Sequence, residues 1–353
     1  MLKTDNLRKE NILMTFVNES SFVKRDIEIL KQQYFVSKFK FHSKSKVLLP
    51  LVFLKQFFFL LFSIFKTKAI VIQSAGYHSF LPIVIGKIFK TPVIIIAIGN
   101  ESIKLPEINY GTQRKMVLSW FVNFSLKNAG LILPVHKSLE FSKYNYTSVK
   151  FKNQGIRSFN KKIKTKIIEM VNGYDAEKWK ITNLDRKDFT FLTVSDTIDE
   201  TRYFIKGIDL IESLAISNPN YQFTIVGKLE LTKTFPKNIK FISRVTQNEL
   251  ANIYNSNKYY LQLSMSEGFP NALCEAMLCG CIPIGSNVAA IPDIIGEKGY
   301  ILKEKNSVLL NKLTSNLSNN TIESYDVRKQ ITTHFPLERR EIELLNHVEN
   351  LIN

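Results

Sequence analysis

The sequence predicts an α/β protein built from two doubly wound domains that face each other across a cleft. Short apolar runs typical of buried parallel strands alternate with amphipathic runs typical of helices, and this alternation occurs twice along the chain. At 353 residues, the chain is longer than one hydrophobic core usually serves. Hydrophobic residues make up 45% and charged residues 22%, which is the composition of a globular protein.

In the first half, each apolar run is followed by a segment whose apolar residues recur with helical spacing. The predicted strands are Ile12–Val17, Ala69–Gln73, Pro92–Ile98 and Gly130–Val135, and the predicted helices are Phe22–Tyr34, Leu51–Phe65, Phe80–Phe89 and Thr112–Asn128. This order is typical of a parallel sheet with helices on both faces.

The second half repeats the pattern after a polar, lysine-rich stretch that contains the turn-forming Asn172-Gly173. We therefore expect a first domain over residues 1–172, a second over 173–335, and a final helix over 336–353 that packs back toward the first domain. The predicted strands are Phe189–Ser195, Gln222–Val226, Ile239–Phe241, Tyr259–Leu263 and Ile282–Gly285, and the predicted helices are Ile208–Ser217, Thr246–Asn255, Asn271–Cys279 and Ile291–Gly296.

Positive charge is concentrated in the first half. The chain carries a net charge of +17: residues 1–180 hold 30 basic and 11 acidic residues, whereas residues 181–353 hold 18 and 20. A basic half can attract nucleic acid or an anionic membrane. The sequence has no zinc-finger spacing, no RNP-like aromatic motif and no basic region followed by heptads, so we expect no nucleic-acid partner.

One segment, Val47–Phe65, is apolar and long enough to cross a bilayer. Lys55 and Gln56 lie at its middle, and a lysine there costs about 2.5–3.5 kcal/mol on insertion. The sequence therefore favours a helix that is either buried in the first domain or placed at the membrane interface.

The cysteines and the N-terminus predict a cytoplasmic protein. The cysteines are Cys274, Cys279 and Cys281, an odd number within one apolar stretch, so we expect buried reduced thiols. The five histidines show no spacing that predicts a metal site. The N-terminus lacks the apolar core and cleavage site of a signal peptide.

The most informative passage is SMSEGFPNALCEAMLCGCIPIGSNVAAIPDIIGEKGYIL, residues 264–302. Glu267 lies in a loop after a predicted strand, and Glu275 lies within the helix that follows. A helix start binds anions because its first amides lack partners, so a diphosphate suits this one. A carboxylate further along can accept hydrogen bonds from ribose hydroxyls. The loop residues are Gly268, Phe269, Pro270, Asn271 and Ala272.

This passage resembles the nucleotide-sugar site of the GT-B glycosyltransferases, in particular the retaining family four of the group 1 type, with its E-x7-E motif. Glu267 and Glu275 stand at the two glutamates. The resemblance implies two Rossmann-like domains and sugar transfer from a nucleoside diphosphate sugar with retention, without a metal or a cofactor. It implies that Glu275 binds the ribose diol and that Glu267 binds hydroxyls of the transferred sugar.

Two further segments carry the resemblance. FLTVSDTIDETRYFIKGI resembles the segment whose basic pair clamps the donor phosphates, which assigns Lys206 and Arg202 to that pair. FISRVTQNEL resembles the segment that meets the base, near Arg244 and Val245. Such cations would stabilise the negative charge that develops on a departing diphosphate.

The first domain supplies candidates for the acceptor cleft. ILMTFVNESSFVKRDIEIL and PVIIIAIGNESIKLPEINYG resemble the first domain of a subgroup of the family, but Asn100 and Glu101 replace its Tyr-Asp. His78 follows a strand, where α/β folds place ligands, although an ordinary hydrogen-bonded histidine fits equally. Ser21 joins these three residues as a cleft candidate by position.

The resemblance implies a hexosyltransferase that acts in surface glycan biosynthesis on a lipid-linked or polysaccharide acceptor. Two alternatives stay open: a non-catalytic protein of this fold that binds membrane or polyanions, and a nucleotide-sugar epimerase. Basic and aromatic side chains of the first 90 residues predict reversible binding to the cytoplasmic face of an anionic inner membrane. They include 13 phenylalanines and the lysines Lys38, Lys40, Lys44 and Lys46.

Overall fold

Two parallel sheets of six strands form the frame of the protein. The computed structural model describes residues 9–43, 45–319 and 321–353, which leaves Lys44 of the lysine cluster outside the described residues. The elements around the first sheet are β1 (Asn11–Phe16), α1 (Ser21–Lys31), β2 (Phe35–Lys40), α2 (Leu49–Ser63), β3 (Thr67–Gln73), α3 (Tyr77–Ile88), β4 (Val93–Ala97), α4 (Met116–Asn128), β5 (Leu131–Pro134), β6 (Ser142–Lys143), β7 (Asn153–Gln154), α5 (Ile156–Phe159) and β8 (Lys166–Ile167).

The first sheet has the strand order β2-β1-β3-β4-β5-β8 with every pairing parallel. Its central strands are continuous apolar runs because helices cover both faces. Ile12 and Met14 on β1 pack in the core that contains α1 residues, whereas Leu13 packs in the core that contains residues of α2, α3 and α4. We call the unit built on this sheet the first domain.

The second sheet has the strand order β11-β10-β9-β12-β13-β14, again parallel throughout, and its unit is called the second domain. The fold class predicted from the sequence is therefore confirmed. The elements are β9 (Thr190–Ile198), α6 (Glu200–Ile205), α7 (Ile208–Ser217), β10 (Gln222–Leu229), β11 (Ile239–Ile242), α8 (Gln247–Asn255), β12 (Tyr259–Gln262), α9 (Asn271–Leu278), β13 (Ile282–Ser286), α10 (Ile291–Ile295), β14 (Tyr300–Leu302), α11 (Ser307–Ser315), α12 (Ser324–His334) and α13 (Leu337–Ile352).

The structure departs from the predicted elements at a few places. β2 was not predicted, because FVSKFK is a partly exposed edge strand with lysines rather than a buried apolar run. The predicted helix Thr112–Asn128 is a short turn of 3₁₀ helix followed by α4, which begins at Met116. The cysteines Cys274, Cys279 and Cys281 are free and buried, as predicted.

Helix α2 is not buried in the first domain, which excludes one of the two placements the sequence left open. Its buried residues are Gln56 and Leu60, and Gln56 donates a hydrogen bond from Nε2 to the backbone oxygen of His78 at 2.8 Å. Lys55 faces solvent. The stretch Leu49–Lys66 is long and apolar enough to cross a membrane, with 17% of it buried. Of the two polar residues at the middle of α2, Gln56 therefore faces the protein interior and Lys55 faces solvent.

The chain passes twice between the domains at one place, where Tyr174 and Pro336 pair side by side. From there α13 returns to pack on α1 of the first domain. Arg340 on α13 forms a buried ion pair with Asp26 on α1, at 2.8 Å from Nη2 to Oδ2 and 3.1 Å from Nε to Oδ1. Nη1 of Arg340 donates to the backbone oxygen of Met170 at 2.8 Å. The last helix thus ties the end of the chain to the first domain.

Replacing Arg340 tests this tie. Arg340→Met leaves the Asp26 carboxylate buried without a partner, and breaking a buried pair in this way costs about 3–5 kcal/mol in the free energy of unfolding. Urea titration measures this loss. Arg339→Met is the matched control, because Arg339 pairs with Glu343 on the exposed side of the same helix. Losing an exposed pair lowers the free energy of unfolding by about 0.5 kcal/mol or less. Equal destabilisation by the two variants would contradict the assignment.

Candidate active site

A cavity of about 240 Å³ opens where the loop after β12 meets the first domain. Its lining combines a lysine and a carboxylate with the loop that leads into α9. Parallel α/β sheets place ligands at the carboxyl ends of their strands, which is where this cavity lies. The second domain contributes Val194, Lys206, Gln262, Glu267, Gly268, Phe269, Pro270, Asn271 and Ala272, and the remainder comes from Phe22, Ile98, Val135 and Asn172.

Glu267 is the centre of the polar contacts in this cavity. Its Oε1 accepts hydrogen bonds from Nζ of Lys206 at 2.6 Å and from Nε2 of Gln262 at 3.0 Å. Neither charged side chain is fully solvated, since Lys206 is 27% exposed and Glu267 13%. Lys206 and Glu267 are 61 residues apart in the sequence, and in the structure they form one charged pair facing the cavity.

The loop after Glu267 touches the first domain through its backbone. A Cβ at Gly268 would lie 1.8 Å from the carbonyl oxygen of Ile98, so no residue with a side chain fits here without moving a domain. Gly99 lies against Gly268 at the same contact. Its φ of +135° is a conformation that favours glycine. The cavity is therefore closed on one side by peptide groups from both domains.

Helix α9 begins beside this contact. Pro270 occupies its N-cap position and no side chain caps the helix, so the amides of the first turn are left for a ligand. The side chain of Asn271 does not serve as a cap, because its Oδ1 accepts a hydrogen bond from the Tyr174 hydroxyl at 2.6 Å. The start of α9 thus combines free amides with the positive end of the helix dipole.

Glu275 follows one turn along α9 and lines a second cavity of about 540 Å³. Burial raises the pKa of its carboxyl from 4.5 to about 7, although the Tyr254 hydroxyl, which donates to Oε2 at 3.3 Å, and Arg25 both oppose the shift. Arg25 comes from α1 of the first domain, so this cavity is also shared between domains. Gln247 and Leu250 on α8 form its far side.

Three other predicted donor residues lie outside the lining of these two cavities. Arg202, on the first turn of α6, pairs with Asp199 at 2.5 Å. Arg244 is exposed and pairs with Asp196, and Val245 is its neighbour after β11. Their assignments to the donor remain predictions.

The first domain contains its own cavity of about 530 Å³ at the ends of β1, β3 and β4. His78 and Asn100, two of the residues predicted for the acceptor cleft, line it. His78 is buried, its Nε2 lies 2.9 Å from the backbone oxygen of Gln73, and burial lowers its pKa. Phe22 and Ile98 line both this cavity and the one at Glu267, so the two cavities adjoin.

Two predicted cleft residues are placed differently. Glu101 does not line the cleft: it is fully buried, its Oε1 accepts from the amide of Ile98 at 2.6 Å, and its Oε2 accepts from the Ser74 hydroxyl at 3.0 Å. It therefore joins the ends of β3 and β4. Ser21 lines the cavity at Glu275 rather than the first-domain cavity.

Sequence reasoning missed several residues that complete the site. Gln262, Tyr254 and Arg25 contact or face the two glutamates from β12, α8 and α1. Tyr110 belongs to the loop after β4, and burial, followed by the nearby Glu267, raises its pKa to about 12. None belongs to the motif: Gln262 precedes it on β12, and the other three reach the site from elements elsewhere in the chain. Among residues 9–43, 45–319 and 321–353, no group of three or more His, Cys, Asp or Glu side chains is arranged to hold a metal ion.

The family comparison concerns the half of the chain that carries both glutamates. Residues 175–334 match the family model described as "Glycosyl transferases group 1". Over these residues the chain is similar to the group 1 glycosyltransferases. Lys206, Glu267 and Glu275 all lie within the matched residues, as does the uncapped start of α9.

Curated relatives match over short stretches. "Serotype-specific mannosyltransferase WbdA" of Escherichia coli is 38% identical over 56 residues, which is 16% of this chain and 7% of WbdA. "O-antigen chain mannosyltransferase B" of the same organism is 30% identical over 63 residues, which is 18% of this chain and 16% of that protein. These matches thus cover less than a fifth of either relative.

Solved structures match the first and second domains together. Sucrose-phosphate synthase from Thermosynechococcus elongatus gives a TM-score of 0.74 at 13% identity, covering 97% of this chain and 99% of that one. Anabaena HepE, solved with UDP and glucose, gives a TM-score of 0.69 at 13% identity, covering 97% of this chain and 100% of HepE. At this identity the likeness establishes the fold, which is that of the GT-B glycosyltransferases.

Replacing Glu275 tests its burial. The unfolded chain loses this proton near pH 4.5 and the folded chain near pH 7, so the stability of the wild type falls as pH rises through this window. Glu275→Gln removes the titration. At each pH, urea unfolding gives the difference in the free energy of unfolding between Glu275→Gln and the wild type. We expect this difference to shift in favour of the variant by about 2 kcal/mol between pH 5 and pH 8.

The exposed Glu297 supplies the control for this experiment. Glu297→Gln changes the same group on the surface, where burial contributes nothing. A Glu275→Gln variant that gains no stability over this control between pH 5 and pH 8 would show that the carboxyl at position 275 is ionised at little cost.

Proposed function

We propose that this protein is a retaining glycosyltransferase that needs no metal and no cofactor and transfers a hexose from a nucleoside diphosphate sugar to a lipid-linked or polysaccharide acceptor. The observation that carries the proposal is the Lys206–Glu267 pair beside the uncapped start of α9, in a cavity that adjoins the first-domain cavity. Donor and acceptor would then meet where the two cavities share Phe22 and Ile98.

The donor fits this arrangement in order along α9. Its diphosphate lies at the amides of the first turn and at Lys206, its transferred sugar meets Glu267, and its ribose lies at Glu275. The base then extends toward Gln247 and Leu250, which line the cavity at Glu275. HepE supports this proposal, because a protein of the same fold was solved with UDP and glucose.

In the proposed reaction, the bond between the anomeric carbon and the phosphate oxygen breaks while the acceptor oxygen bonds to that carbon on the same face. The acceptor hydroxyl gives its proton to the departing phosphate oxygen, so no protein base is required. Lys206, the α9 amides and Arg202 stabilise the charge that develops on the diphosphate. Two cations and a helix start thus take the part that a divalent ion would otherwise play.

The acceptor is assigned to the first-domain cavity, with its hydroxyl directed toward Glu267. Leu49 and Leu118, at the beginnings of α2 and α4, form part of the cavity wall, so an apolar portion of the acceptor can leave toward these helices. The E. coli relatives are mannosyltransferases, one of them named for the O-antigen chain. These names support a role in surface glycan synthesis.

An exposed apolar surface on α2 and α4 supports association with the cytoplasmic face of a membrane. Ring contacts between Phe53 and Phe121 and between Phe80 and Trp120 join α2, α3 and α4 into one layer. We call its exposed part the α2–α4 apolar surface; it includes Leu51, Leu54, Phe57, Phe58, Phe62, Met116, Val117 and Trp120. Exposed apolar area on this scale, with nearby lysines, is typical of interfacial helices.

Lys206→Ala tests the reaction. A hydrolysis screen of several nucleotide sugars first identifies the donor. At saturating donor, kcat of the variant is expected to fall by about 10²–10³-fold, because one group that stabilises the leaving diphosphate is lost. Lys228→Ala, at an exposed position near the end of β10, is the control and is expected to keep wild-type turnover. Wild-type kcat in Lys206→Ala would reject the assignment of this lysine to the phosphates.

The combined variant Leu51→Gln, Phe58→Gln and Phe62→Gln tests the membrane. Each side chain is about half exposed or more, so the changes preserve the core while removing apolar area from the α2–α4 apolar surface. Sedimentation with vesicles that contain an anionic phospholipid is expected to weaken by about tenfold or more.

Three exposed apolar residues away from the α2–α4 apolar surface, Val308, Tyr325 and Ile342, supply a matched control. Changing these to glutamine should leave sedimentation intact. If the wild-type chain stays in the supernatant at low salt, or if both triple variants bind equally, the surface does not contact lipid.

A further inference from the structure

The segment from residue 141 to residue 168 is unusually basic. It contains eight lysine and arginine residues and no aspartate or glutamate. It follows β5 and supplies β6, β7, α5 and β8, all short elements at the surface of the first domain. This charge is separate from the lysines near α2 and is not used by the proposed donor site.

The segment forms one wall of an open groove of about 790 Å³. Lys104, from the loop after β4, completes the cationic part of the groove. The cations are Lys104, Lys150, Lys152, Arg157 and Lys161, and aromatic rings come from Phe141, Phe151 and Phe159. No acidic side chain lines the groove within the described part of the chain.

The groove is held in place by internal contacts. Gln154 is buried, its Oε1 accepts from the amide of Lys104 at 2.8 Å, and its Nε2 donates to the backbone oxygen of Lys104 at 3.1 Å. Nζ of Lys104 lies 4.2 Å from the centroid of the Phe151 ring. Cation and ring are thus already paired, which lowers the entropy lost when a ligand binds.

Most of the positive charge in the groove has no counter-charge. Arg157 pairs with Glu140 at 2.6 Å, and Glu107 accepts a hydrogen bond from the backbone amide of Lys150 at 2.6 Å. Within residues 9–43, 45–319 and 321–353, Lys104, Lys150, Lys152 and Lys161 form no salt bridge. Several unpaired cations in a concave site raise the local concentration of an anionic ligand.

The groove lies close to the candidate active site. Lys104 follows Gly99 by five residues, which span at most about 18 Å, and Gly99 touches Gly268 of the donor loop. Within the basic segment itself, the hydroxyl of Tyr144 donates to the backbone oxygen of Met265 at 3.0 Å. A polymer bound in the groove is therefore within a few sugar units of Glu267.

We propose that this groove binds an anionic oligosaccharide, through its carboxylate or phosphate groups at the lysines and through its sugar faces on the phenylalanine rings. A concave, aromatic-lined groove fits a chain better than it fits a bilayer, for which the α2–α4 apolar surface is available. Recognition of acid groups by ammonium side chains is charge-assisted and salt-sensitive. The proposal concerns binding alone and does not require the transfer reaction to be as proposed.

Titration with defined oligosaccharides tests the groove. Hexagalacturonate carries carboxylates, a ribitol-phosphate hexamer carries phosphodiesters, and maltohexaose is the neutral reference. We expect the wild type to bind one or both anionic hexamers, with affinity falling as salt rises, and to bind maltohexaose at least about tenfold more weakly. The anionic hexamer that binds identifies whether carboxylate or phosphate is recognised.

The variant with Lys104→Gln, Lys150→Gln and Lys152→Gln is expected to lose at least about tenfold in affinity for that hexamer. The control changes Lys237, Lys240 and Lys329 to glutamine, which removes the same charge from exposed sites of the second domain. Circular dichroism melting curves check that both variants are folded. Equal binding by both variants overturns the proposal.

Two further probes separate other occupants of the groove. If the groove variant loses binding to anionic vesicles or to a single-stranded oligonucleotide but not to either hexamer, the proposal is wrong and the groove is a membrane or nucleic-acid site. Hydrolysis of the donor nucleotide sugar, measured in the same samples, reports on the transfer function separately. Loss of hexamer binding with donor hydrolysis intact is the result that supports the groove.

Discussion

The backbone contact between Gly268 and the peptide joining Ile98 to Gly99 is the constraint on which the candidate active site depends. A Cβ at position 268 would lie 1.8 Å from the carbonyl oxygen of Ile98, so the domains approach as closely as two main chains can. This contact sets the Lys206–Glu267 pair against the first domain, and it explains why Ile98 lines cavities on both sides. A glycine in this loop is therefore required by packing as well as by any ligand.

The remaining contacts between the domains hold this arrangement in place. The chain crosses twice at Tyr174 and Pro336, and α13 then binds the first domain through the buried pair of Arg340 and Asp26. The same region carries a cost, because Glu275 is placed where burial raises the pKa of its carboxyl. A buried carboxylate that is costly in the free protein is the kind of strain that functional sites retain when a ligand supplies the missing hydrogen bonds.

The motif predicted the part of the site that is continuous in sequence. Glu267, the loop through Ala272 and Glu275 follow one another between β12 and α9, so their order alone places them together. Tyr254 and Arg25 could not be found this way, because they approach from α8 and α1. Gln262 lies on β12 just before the motif, but only the structure shows that its side chain contacts Glu267. Glu101 was predicted to face the cleft, but a carboxylate after a strand can face either the cleft or the neighbouring strand. Hydrogen bonds from the Ile98 amide and the Ser74 hydroxyl hold it against the neighbouring strand.

By itself, the sequence determined the two parallel sheets, the order of most helices and the position of the loop between Glu267 and Glu275. These follow from the local spacing of apolar residues and from a contiguous motif, and neither requires knowledge of what packs against what. Only the tertiary structure decided that α2 exposes its apolar side, that Lys206 pairs with Glu267, and that the basic segment after β5 forms a groove with Lys104. Burial and charge pairing depend on elements far apart in the chain, so their outcome is set by packing rather than by periodicity.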